Sequence, residues 1–87
     1  MAEQMGAVTG GRISFGTDMN EITTDGFWTV NTSVNSPANS TTEWALSVRT
    51  NKKGDIIQIA SPYTGSATKT YTRVRRSEIN NSWTSWV

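Results

Sequence analysis

The stretch WALSVRT, Trp44 to Thr50, sets Trp44, Leu46 and Val48 on one side and Ala45, Ser47 and Arg49 on the other. Alternation with period two belongs to a β-strand that buries one face and wets the other. No stretch of ten residues or more carries an apolar 3.6-residue repeat, so helices do not organise this chain. FWTVNTSV repeats the alternation less tidily, with Trp28, Val30 and Val34 on one side, and DIIQIA offers Ile57 and Ile59 as inward residues. KTYTRVRR is polar on both faces and reads as an exposed or edge strand. Turn chemistry separates these segments at Ser36-Pro37-Ala38-Asn39, Asn51-Lys52-Lys53-Gly54 and Ser61-Pro62-Tyr63-Thr64-Gly65. The expected fold is all-β, a mainly antiparallel sheet in one small domain.

A chain of 87 residues makes one such domain at most, and its core must be thin. Apolar residues make up only 34%, and Ser and Thr together number 24. Four Trp, two Tyr and two Phe concentrate the burial, since each aromatic hides a large area. Packing against another subunit is one way to thicken such a core. Residues 1–16 are Gly-rich without clean alternation and read as a linker or the end of a longer shaft, leaving 17–87 as the domain.

Composition also narrows function. A net charge of +1 gives no global attraction to nucleic acid, and no run of 18 apolar residues is present to span a bilayer. With no His and no Cys, Ser-His-Asp and Cys-His nucleophiles and thiolate or imidazole zinc sites are ruled out. The carboxylates Asp18, Glu21, Asp25, Glu43, Asp55 and Glu78 remain, but none sits in a recognisable cleft or calcium-loop spacing. The expectation is a protein without catalytic residues or cofactor, and without metal.

DMNEITTDGFW, Asp18 to Trp28, concentrates caps and turns. Asp18 and Glu21 have the spacing of a capping box, and Met19 and Ile22 stand three apart, which predicts one short helical turn near residues 18–23. Asp25-Gly26 supplies a turn into the strand that starts at Phe27. Cap and turn roles aim these carboxylates at backbone N–H groups rather than at each other, so the stretch reads as a corner and not as an acid–base group.

The same residues resemble the Asp-x-Asn-x-Ile, Gly, aromatic-aromatic pattern that opens the pyocin-knob-type domain of phage and R-type pyocin tail fibres. SPAN, WALSV, IQIA, YTRVRR and a terminal Trp-x-x-Trp in SWTSWV follow in order, and together they cover Asp18 to Val87, about four-fifths of the chain. Asp25 departs from a Pro that is more usual before the Gly, and Ser36 interrupts a common Asn-Ala-Pro. The resemblance implies a β-rich module near the distal end of a homotrimeric virion tail fibre. Its task would be attachment to a bacterial cell-surface glycan such as lipopolysaccharide, capsule or teichoic acid. A structural node that trimerises the fibre without a ligand of its own is the alternative reading, and a capsule depolymerase is the outsider.

Alternation in KTYTRVRR puts Lys69, Tyr71, Arg73 and Arg75 on one face. Cation and aromatic together suit sugars that bear phosphate or carboxylate, so these four are receptor-binding candidates, with Tyr63 at the margin. A soluble edge strand accounts for the same pattern. Trp83 and Trp86 are three apart and point to opposite faces of a straight strand. Trp86 joins the candidates as the exposed member. Packing of both rings within one protomer through a bulge, or against a partner subunit, stands beside that reading.

Overall fold

The computed structural model describes residues 10–13, 18–31, 34–37, 43–62 and 68–87. Among them six strands form one sheet in chain order: β1 (Gly10–Ile13), β2 (Gly26–Asn31), β3 (Glu43–Thr50), β4 (Ile56–Pro62), β5 (Tyr71–Arg76) and β6 (Ser82–Trp83). β1 pairs with β2 in parallel, and every later neighbour is antiparallel. The domain is therefore mainly antiparallel β, as the alternation implies. The helical content of the described residues is two 3₁₀ turns, Met19–Glu21 and Ser77–Ile79.

Trp44, Leu46 and Val48 of β3 are fully buried on one face of the sheet, which carries the core. Val30 from β2 and Ile56 and Ala60 from β4 join them, and the Met19–Glu21 segment lays Met19 and Ile22 over the top. Trp28, Tyr71, Trp83 and Trp86 pack around this cluster half-buried. Burying large apolar side chains contributes roughly 1.5–3 kcal/mol each, so one covered face is the main source of stability.

The expected corner forms at Asp18. Its carboxylate accepts from Asn20 N at 2.9 Å, one residue short of the Glu21 position that a capping box would use. Gly26 has φ 144°, a left-handed-region value that the turn into β2 needs and that a side chain would oppose. Asp25 accepts from the Thr50 hydroxyl at 2.7 Å, tying the turn to the end of β3.

Three expectations change. Ile57 and Ile59 face outward, while Ile56, Gln58 and Ala60 are the buried residues of β4. The observed register keeps Gln58 bonded to Arg73 Nε and to the carbonyls of Met19 and Ile22, and a one-residue slip would leave those three buried groups without this partner. Val34 is exposed, lying outside the named strands at an isolated parallel bridge to Asp18. KTYTRVRR is not an edge: β5 lies between β4 and β6, and Thr72 exchanges hydrogen bonds of 2.9 and 3.0 Å with Val87.

The last segment also resolves the tryptophan pair. Arg75 stands opposite Trp83, yet Thr72 stands opposite Val87, so the C-terminal segment takes four steps against three. One extra residue is a bulge, and it returns Trp86 to the side that Trp83 already occupies. Both indoles pack within one protomer.

The β3–β4 turn is clasped to the end of β5. Asn51 Oδ1 accepts from Lys53 N and Asp55 N, and Asp55 Oδ1 accepts from Ser77 N at 2.9 Å and Ser77 Oγ at 3.0 Å. The backbone bond from Ser77, then the side-chain bonds from Asn51 and Ser77, hold the Asp55 carboxyl below its usual value. The folded state binds the proton less well than the unfolded chain, so this clasp contributes fully above about pH 4 and is lost as pH falls further. The protection of the Ser77 amide against hydrogen exchange, relative to its intrinsic rate at the same pH, is expected to fall below that pH, and to fall at neutral pH in Asp55→Ala.

Candidate functional site

Arg73 occupies the centre of the core face and is only 5% exposed. Its neighbours follow from the register, which places Gln58 opposite it on β4 and Trp83 opposite Arg75, two residues further along β5. Arg73 Nε donates to Gln58 Oε1 at 2.8 Å. Gln58 Nε2 in turn donates to Met19 O at 2.8 Å and Ile22 O at 2.9 Å, so one amide joins the sheet to the segment lying over it. The guanidinium carbon sits 4.0 Å from the centre of the Trp83 ring and 4.3 Å from that of Trp86. Such stacking suits a planar, weakly hydrated cation and would not suit lysine equally.

The cation is incompletely satisfied. Nη2 is buried and has no hydrogen-bond partner. Burial pushes the Arg73 pKa down to about 10, and the nearby Asp18 charge opposes that shift. Asp18 belongs to a second polar cluster: Asn35 Nδ2 donates to its Oδ1 at 2.7 Å, and Trp86 Nε1 donates to Asn35 O at 3.0 Å. Asn35 holds φ 60°, left-handed and uncommon for a residue with a side chain. Three distant parts of the chain thus meet beside Arg73, with half-exposed indole at the rim.

The candidate residues from the sequence are distributed otherwise than expected. Tyr71, Arg73 and Arg75 do share one face, but it is the covered face of the sheet. Tyr71 is half-buried and meets Trp44 edge-on, with ring centres 6.1 Å apart at 76°. Arg75 is half-buried and donates to Asn81 O at 3.2 Å. Lys69 is exposed and places its ammonium 4.9 Å from the Tyr71 ring centre. Tyr63 lies outside the described residues. A four-residue cationic surface does not form, because Arg73 closes the core instead of facing solvent. Among the described candidates, Trp86 stands at an accessible polar cluster.

Gln58, Asp18 and Asn35 complete the site without having been candidates. Gln58 had a signal, a polar residue inside an apolar strand on the alternation that also carries Ile56 and Ala60. Asn35 had none, since its role depends on a contact 51 residues away.

Comparison with family models, with curated proteins and with solved structures finds no match for this chain.

Proposed function

We propose that this domain is a module of a phage or phage-like tail fibre that helps attach the particle to a glycan on the bacterial surface. The observation that carries the reading is the convergence of Trp83, Arg73 and Trp86 with Asp18 and Asn35. Half-exposed indoles beside paired polar groups suit sugars, which present apolar C–H faces and hydroxyls together. The resemblance to tail-fibre knobs supports the same reading, because its first and last motifs are the ones that meet at this cluster. The test is sedimentation of the domain with isolated envelopes from a panel of bacteria. Saturable binding to some envelopes is expected, and no binding to any would overturn it. Release of reducing ends from capsule would instead indicate a depolymerase.

A second reading, a trimerisation node of the fibre, is favoured by the opposite face of the sheet. Phe27 is 60% exposed there and Ile59 37%, with half-buried Ile57 and Val74 beside them. Cross-strand pairing sets Phe27, Ser47, Ile59 and Thr72 in one row. Exposed apolar faces of this kind mark protein contacts. The chain of 9.6 kDa is expected to sediment as a homotrimer, and the pair Phe27→Asp with Ile59→Asp is expected to yield folded monomer. A wild-type chain that sediments as a monomer at micromolar concentration would remove the node reading and leave attachment to be judged by the envelope assay.

A further inference from the structure

We propose that Asp18, Asn35 and Trp86 form a subsite for a neutral sugar. In it the Asp18 carboxylate accepts a ligand hydroxyl, the Asn35 amide bonds a second, and Trp86 stacks on the ring's C–H face. This deepens the attachment reading and rests on it. The three residues are linked before any ligand arrives: Asn35 joins Asp18 through its side chain at 2.7 Å and Trp86 through its carbonyl at 3.0 Å. Asp18 Oδ1 takes both the Asn20 and the Asn35 bond, while a carboxylate offers about four acceptor positions over its two oxygens. Asn35 is exposed, and Asp18 and Trp86 are part-exposed, so a ligand reaches all three without opening the core.

Two features select the ligand's charge. Asp18 lies at the accessible edge of the cluster, and a ligand carboxylate or phosphate would meet its negative charge directly. The compensating cation, Arg73, is buried behind the indoles with Nη2 enclosed, so it balances Asp18 from within but offers no bond to an incoming anion. A hydroxyl can donate to the carboxylate, whereas an ionised acid cannot. The left-handed backbone of Asn35, which asparagine adopts more readily than most residues with a side chain, sets the direction of its amide.

The experiment uses the full chain and follows the Trp86 indole N–H resonance. The probes are methyl glucoside, methyl galactoside, glucuronate and inorganic phosphate at millimolar concentration. A saturable shift with a neutral glycoside, little changed by salt, is the expected result. Asp18→Asn keeps a capping oxygen and Asn35→Gly keeps the left-handed backbone, so both are expected to fold with the indole resonance in its wild-type position. Each is expected to weaken glycoside binding about tenfold or more, as loss of a charge-assisted or oriented hydrogen bond does. No saturable shift with either glycoside overturns the subsite, as does a shift only with glucuronate or phosphate, or one that survives both substitutions. Envelope sedimentation of the same variants separates the two failures: undiminished envelope binding leaves the attachment reading intact with its site elsewhere, and wild-type protein that binds no envelope ends the attachment reading itself.

Discussion

Replacing Gln58 with leucine is expected to lower the stability of the domain by about 3–5 kcal/mol, although the substitution adds apolar surface to a core position and leaves little cavity. The amide of Gln58 serves three buried groups: it accepts from Arg73 Nε and donates to the carbonyls of Met19 and Ile22. Leucine satisfies none of them. Each orphaned buried group costs about 1–3 kcal/mol, and one of the three is a cation, for which the cost is at the upper end. The Met19–Glu21 turn carries Met19 and Ile22 over the core, so its loosening also exposes apolar surface. Urea unfolding is expected to shift to a lower midpoint. A loss under about 1 kcal/mol would mean that water replaces the amide and that the network does not fix the strand register.

The origin of that network explains what the sequence could and could not disclose. Trp44, Leu46 and Val48 were legible because β3 lies centrally and its alternation needs no partner to interpret. The corner at Asp18 and the turn at Gly26 were legible because caps and positive φ have local chemical requirements. β4 was misread because DIIQIA carries isoleucine on both alternations. The deciding residue was the polar one, and its partner Arg73 lies on another strand. The same pairing governs β5: alternation alone places Arg73 with the exposed cations, yet it is a core residue once glutamine accepts from it and two indoles cover it. Trp86 needed a one-residue bulge that nothing near it announces. Local rules thus located the elements, whereas the site depended on contacts between residues 15 to 51 positions apart.

Arg73→Met is expected to cost about 2–4 kcal/mol, and combining it with Gln58→Leu is expected to cost less than the two losses added, by about 1–2 kcal/mol. Methionine fills much of the space and keeps contact with the indoles, so the loss comes mainly from the stacked cation and from a Gln58 oxygen left without its donor. In the double variant that oxygen is absent, and the desolvated charge is gone as well, while the carbonyls of Met19 and Ile22 remain orphaned and keep the variant below wild type. Strictly additive losses would show that Arg73 and Gln58 do not act as a unit. The charge itself gives an independent signature. Burial lowers the folded-state pKa of Arg73 to about 10, below that of an unperturbed arginine, so above pH 10 the unfolded chain holds more protons than the folded one. Stability contributed by this group therefore rises with pH across that window, as the penalty for burying the cation is relieved. The stability advantage of wild type over Arg73→Met is expected to grow as pH climbs past 10, and a constant difference would mean that the guanidinium is solvated in the folded state.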